Sequence, residues 1–297
     1  MPTLKEIKGR IASVRSTLKI TSAMKLVASA KLRKAQKAIE AMRPYEEALN
    51  EILAMTSAGN VAVPYLNDAR NAGRIIVAIS SNSSLCGGFN ANVIAKVKEV
   101  RKPGDVVYSI GRKMADAMRR DGFPSPQDLS AIAEHPAYSP CAKLVEKFMA
   151  DSDAGRIGEV VMVYNHFVST AKQVPVAEQL LPIGSGASAE DSPKGAEKRA
   201  EAPFGESSAS VYADRDVIME PSAKELMEAI LPKTLKLKLY AALLDSQAAE
   251  HAARTVAMQT ATDNGENLLQ ELTMQYNKGR QQKITNEILD LAGGQAS

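Results

Sequence analysis

Residues 4–42, LKEIKGRIASVRSTLKITSAMKLVASAKLRKAQKAIEAM, contain neither proline nor any glycine beyond Gly9. Their apolar positions advance by alternate threes and fours: Leu4, Ile7, Ile11, Val14, Leu18, Thr21, Lys25, Ala28, Leu32, Ala35, Ile39 and Met42. That spacing predicts a helix with a heptad seam facing one partner helix. Lys25 reads as the single break in the seam. Between residues 20 and 32 a second stripe appears, Ile20, Met24 and Val27, beside Ala23, Leu26 and Ala30. A helix apolar on nearly all sides is enclosed, so this stretch is expected inside something besides its partner helix. Arg43-Pro44 is expected to bend the helix, which then continues to about residue 58.

A second long helical segment lies at the other end of the chain. From about Ser222 to Leu291 the sequence is again helical in pattern, with Pro232 expected to kink or divide it. Around Gln247 to Asp263 its seam is small and polar, which predicts partners there other than the N-terminal helix. At 1.5 Å per residue the two terminal segments would span roughly 80 and 105 Å. Between them the hydrophobic period changes. RIIVAISS (74–81), DVVYSIG (105–111), IGEVVMVY (157–164) and a run near Lys172 to Leu181 read as strands. Segments 91–101, 112–120 and 141–150 read as helices. Strands alternating with helices imply a small, mainly parallel, Rossmann-like α/β sheet, with the Pro175 strand at an edge. Residues 184–210 hold one large apolar residue, Phe204, and read as a flexible polar insertion. VYADRDVIME after it suggests a short strand. The fold class expected is therefore α/β: a long antiparallel two-helix coiled coil plus a Rossmann-like domain. The boundaries are 1–60 for the N-terminal helix, 72–183 for the sheet domain, 184–210 for the insertion and 211–297 for the short strand and C-terminal helix.

Composition narrows the function. The chain has 297 residues, 45% hydrophobic and 24% charged, with no Trp and two cysteines. Disulfide scaffolds and wholly disordered chains are excluded, and no apolar run is long enough to span a membrane. Nor does MPTLKEIKGR read as a secretory leader. The net charge of +3 conceals eleven Lys/Arg against Glu6 and Glu40 in residues 1–44. Such a basic arm suits an anionic partner. Nucleic acid is one reading, but the arm offers only Tyr45 for base stacking. The Gly-Gly of SSLCGGFN follows a strand and precedes a helix, yet matches neither dinucleotide nor P-loop spacing. His135, His166 and His251 are scattered, so no metal and no cofactor are expected, and no catalytic grouping stands out.

Three stretches carry a resemblance. IKGRIASVRSTLKITSAMKLVASAKLRKAQ (7–36) resembles the N-terminal helix of the F-type ATP synthase gamma subunit, bacterial type. SSLCGGFNANV (83–93) resembles that family's internal Gly-Gly turn, and residues 251–294 are similar to its C-terminal helix. The resemblance implies a non-catalytic central-stalk rotor of a proton-translocating ATP synthase. Its partners would be the alpha and beta subunits of F1, the epsilon subunit and the c-ring of FO. It would lie peripherally on the cytoplasmic face of the bacterial inner membrane. By matching positions, the resemblance implies beta-subunit contacts for Met24, Lys25, Lys31, Arg33, Lys34, Arg254, Arg280, Gln281 and Thr285. It implies an apolar bearing for Ile284, Ile288 and Leu291, and a base or c-ring contact for Glu220. The alternative is a basic coiled-coil scaffold or nucleic-acid-binding protein.

Overall fold

The computed structural model describes residues 3–57, 73–182, 220 and 222–294. The polar stretch 184–210 and the strand expected after it, apart from Glu220, lie outside the described residues, as does the side chain of Leu291. The chain forms two compact units, residues 31–253 and residues 1–30 with 254–297. Helix α1 (Leu4–Ser57) and the C-terminal helix α6 (Ala223–Gly294) each contribute to both.

The unit of residues 31–253 is built on a sheet of β1 (Gly73–Ile79), β2 (Val106–Ile110), β3 (Ile157–Phe167) and β4 (Gln173–Leu181). The strand order is β2-β1-β3-β4. β1 runs parallel to β2 and β3, and β4 is antiparallel at the edge. Pro175, which has no N–H to give to a further strand, sits in that edge strand. Helices α2 (Phe89–Val100), α3 (Arg112–Arg120), α4 (Ser130–Glu134) and α5 (Tyr138–Asp153) cover the sheet.

Alternate residues of β1 feed opposite cores. Ile75, Val77 and Ile79 pack with Leu144, Val145 and Phe148 of α5 and Leu235, Leu239 and Leu243 of α6. Ile76 and Ala78 pack with Val93 and Val97 of α2 and Met114 and Met118 of α3. Burial on both faces explains why β1 reads as a continuous apolar run rather than an alternation. α6 is thus a wall of the α/β core as well as a partner of α1. Within this unit Leu49 and Leu53 of α1 meet Met227, Ile230 and Leu231 of α6, and Leu32 and Ala35 meet Ala248 and Ala252.

In the other unit the same two helices pair antiparallel. As α1 advances from Leu4 through Leu18 and Thr21 to Lys25, its contacts on α6 recede from Gly279 through Gly265 and Thr262 to Gln259. All twelve seam positions from Leu4 to Met42 are buried or half-buried.

Two expectations need correction. Pro232 does not divide the last helix, which is continuous from Ala223 to Gly294. The apolar side chains around it, Ile230, Leu231 and Leu235, are buried, and burial of about 1.5–3 kcal/mol per side chain outweighs the ~3 kcal/mol cost of an interior proline. α1, by contrast, is expected to continue past Pro44, and it runs to Ser57. Lys25 is not a break in the seam but a member of it: it is half-buried and its Nζ donates to Gln259 Oε1 across the helix pair.

Candidate partner-binding surface

The sheet's C-terminal edge, where open α/β folds bind ligands, is occupied here by the chain's own polar groups. Ser80 Oγ accepts from Met114 N at 2.9 Å, and Asn82 Oδ1 accepts from Arg112 N at 3.0 Å. Ser81 O accepts from Lys113 N at 3.2 Å. The first N–H groups of α3, which a phosphate would need, are therefore already satisfied. Gly111 (φ +102°) makes this possible: a Cβ there would stand 2.3 Å from Ser80 O.

The Gly-Gly turn has a packing role. Cys86 and Phe89 are buried against Ala249 and Ala253 of α6, with Phe167 alongside. Asn165 Nδ2 donates to Phe89 O at 2.9 Å, and Asn90 Nδ2 donates to Ser81 Oγ at 2.8 Å. The alanines of α6 thus face two ways, Ala248 and Ala252 to α1 and Ala249 and Ala253 to this turn. At Ala249 and Ala253 the extra partner predicted for that stretch is a segment of the same chain. Neither cysteine is exposed, and burial pushes the Cys141 thiol up to about 12.

A polar cluster sits on the same unit where α1, β3, β4 and α6 approach one another. Asp245 accepts from Phe167 N at 3.1 Å and lies 2.6 Å from His166 Nδ1. That carboxylate raises the His166 pKa above its usual value, against the opposing effect of burial. Tyr164 donates to Glu178 at 3.0 Å, and Lys238 lies 3.0 Å from the same carboxylate. Burial, with the Glu178 charge second, holds the Glu46 carboxyl above its ordinary range. No pattern in the sequence announces these pairs, because their partners are far apart along the chain.

The residues singled out as partner contacts fall in separate places. In the unit of residues 1–30 and 254–297, Met24 and Lys25 are half-buried, and beside them Ile20, Leu26 and Val27 are 58%, 69% and 58% exposed. Arg254 is half-buried. Arg280, Gln281 and Thr285 are exposed, with the Thr285 hydroxyl donating to Gln281 O at 3.0 Å. Ile284 and Ile288 are 47% and 60% exposed. Along α6, Arg280 stands about 30 Å beyond Gln259, the partner of Lys25, so two clusters are formed rather than one. On the unit of residues 31–253, Lys31, Arg33 and Lys34 are exposed on α1, and Glu220 is exposed at a bend. Gln259, Thr262, Gly265 and Gly279 meet α1 and were not singled out from the sequence; at Gln259 and Thr262 the small, polar seam serves the N-terminal helix itself, contrary to the expectation of other partners there. Among the described residues no group of His, Cys, Asp or Glu could hold a metal, and no helix is long and apolar enough to cross a membrane.

A long helix pair joined to an α/β domain, with the N–H groups that open α3 already satisfied and bulky apolar residues of α1 left exposed, defines the class: a two-helix stalk carried by a small α/β domain. The comparisons agree. A family model described as ATP synthase matches residues 3–297. The "ATP synthase gamma chain" of Phocaeicola vulgatus is 45% identical, covering 99% of this chain and 99% of its own. That of Bacteroides thetaiotaomicron is 46% identical with the same coverage. Among solved structures, a Euglena gracilis mitochondrial ATP synthase chain, from an assembly titled OSCP/F1/c-ring, superposes with a TM-score of 0.64 at 19% identity, covering 99% of this chain and 93% of that one. The chain belongs to the ATP synthase gamma chain family, whose members are non-catalytic central-stalk subunits of that complex. The nucleic-acid-binding alternative is not favoured.

Proposed function

We propose that this chain transmits torque between the c-ring of FO and the catalytic sites on the beta subunits, standing within the alpha–beta ring and seated with the epsilon subunit on the cytoplasmic face of the bacterial inner membrane. The observation that carries this reading is the exposure of Ile20, Leu26 and Val27 on a helix whose seam is already filled by α6. Bulky apolar side chains in one cluster are covered by a partner in a working protein. The basic residues Lys31, Arg33 and Lys34 on α1 and Arg254 on α6 suit an acidic partner surface of the beta subunits. Met24 and Lys25 belong to the contacts with the beta subunits as well. Arg280, Gln281 and Thr285 form the second contact, and Ile284, Ile288 and Leu291 turn in an apolar sleeve beyond it. Glu220 belongs to the base facing the c-ring.

The mechanism follows from asymmetry. A single lopsided helix pair inside a threefold ring touches each beta subunit differently, so each rotor angle favours a different conformation at each site. Inverting a 1:99 balance takes about 5.5 kcal/mol of differential contact energy. A few charge-assisted hydrogen bonds at about 1.5–3 kcal/mol each, from groups such as Arg280, supply that order of magnitude. Because coupling is reciprocal, ATP hydrolysis drives the same shaft in reverse. The test is Arg280→Ala with Gln281→Ala in the assembled enzyme. Proton-coupled ATP turnover is expected to fall several-fold with assembly intact; turnover equal to the parent's would overturn the contact assignment.

A further inference from the structure

Four contacts between α1 and α6, all in the unit of residues 1–30 and 254–297, share one register. Leu18 lies over Gly265, where a Cβ would stand 2.7 Å from Leu18 Cδ2. Leu4 lies over Gly279, where a Cβ would stand 3.1 Å from Leu4 Cδ2. Both the leucines and the glycines are two heptads apart in the sequence, so a single alignment satisfies both knobs and both holes. Next to Leu18 the seam turns polar. The Thr21 and Thr262 hydroxyls lie 2.9 Å apart, and each also reaches a carbonyl of its own helix. Lys25 Nζ donates to Gln259 Oε1, and Gln259 Nε2 in turn donates to Asp263 Oδ1 at 2.6 Å.

We propose that Gly265, Gly279, Thr262 and Gln259 are positioning residues that fix the axial register of the two helices, and that torque coupling depends on this register. Apolar side chains attract without direction, so a purely apolar seam tolerates a slip of one heptad. Here such a slip of α6 sets Leu18 against Leu272 instead of a glycine, Thr21 against Leu269 and Leu4 against Asn286. Only Lys25, meeting Glu266, would keep a polar partner. A polar residue at a seam position specifies alignment at some cost in stability, and a glycine hole admits a leucine only where the two meet. The inference rests on the torque-transmitting reading. A one-heptad slip would displace the α6 contacts relative to those on α1 by about 10 Å, far beyond hydrogen-bond reach.

The test uses two cysteine pairs in the assembled enzyme. By the observed register Val14 falls opposite Leu269, so Val14→Cys with Leu269→Cys reports native alignment and Val14→Cys with Tyr276→Cys reports a slip of seven. The parent is expected to cross-link the first pair and not the second. Gly265→Leu, whose Cβ alone would stand 2.7 Å from Leu18 Cδ2 and whose further three carbons must share the same space, should lower the first yield several-fold, raise the second, and reduce protons pumped per ATP hydrolysed. Adding Leu18→Ala should restore all three. A first-pair yield and a pumping ratio within twofold of the parent in Gly265→Leu would overturn the proposal, as would failure of Leu18→Ala to rescue. Should Gly265→Leu not assemble, Thr262→Val with Gln259→Leu takes its place under the same readings. A shifted cross-link with undiminished pumping would uphold the register assignment and refute its link to torque.

Discussion

Ala249→Leu tests whether the Gly-Gly turn is a packing device. Ala249 is fully buried against Cys86 and Phe89. Leucine adds three carbons to an interior with no space for them, and overpacking of this kind costs about 1–3 kcal/mol. Phe89→Ala, at 3% exposure, removes a ring from the same contact and by itself costs about 3–5 kcal/mol. If the two side chains share one volume, the double variant is less damaged than the two losses combined. The leucine then fills part of the space the ring vacates, with a coupling energy of at least about 1 kcal/mol. The assay is hydrogen exchange of the amides of residues 86–93 and 245–253 in the assembled enzyme, which reads the local opening free energy. Additive losses would refute the shared volume. A loss below about 0.5 kcal/mol in Ala249→Leu would show that the turn does not pack on α6 as described.

Asp245→Asn keeps an acceptor for Phe167 N but removes the charge that raises the His166 pKa. Because the folded value is raised, the stabilisation is fully present below the ordinary pKa of about 6.5 and fades as pH climbs through the higher folded one. With the His166 side chain 48% exposed, the difference from the parent is expected to be about 1 kcal/mol or less at pH 5.5 and to vanish at alkaline pH, as read by denaturant titration across that range. Arg74→Met takes the cation from the Asp105 carboxylate, whose side chain is 4% exposed and whose ion-pair partner is Arg74 at 3.1 Å, and leaves it the Lys102 N–H at 2.7 Å. A loss of about 3 kcal/mol is expected in urea unfolding. Iodoacetamide at pH 8 should leave Cys141 unmodified in the native chain and alkylate it in urea, since its thiol is buried and titrates near 12; mass spectrometry reads the difference.

What the sequence revealed depended on periodicity. The seam from Leu4 to Met42 was visible because one face is buried over its whole length, so a three-four alternation accumulates. The strand at Gly73–Ile79 was visible because both its faces are covered. α4 was missed because five residues are too few to show a period. α5 begins at Tyr138 rather than at Cys141, with Pro140 in its first turn where a missing N–H costs nothing. Pro232, read as a division, misled because propensity is local, whereas the burial that carries the helix through it comes from side chains brought in by tertiary contact. Lys25 misled for a related reason: its partner Gln259 is 234 residues away, so a charge in an apolar row looked like a break. Of the partner surface, the basic arm and the second apolar stripe were legible, but how much of each stays exposed depends on which face α6 covers.

The pairing of α1 with α6 also has a consequence for biosynthesis. Leu49 and Leu53, near the front of the chain, are buried by Met227, Ile230 and Leu231, which emerge from the ribosome nearly 180 residues later. At about 5–20 residues per second, the nascent N-terminal segment waits roughly 10–35 s with its greasy stripe uncovered. These early leucines find shelter only once a helix made far later has emerged, so their burial is a late event in synthesis.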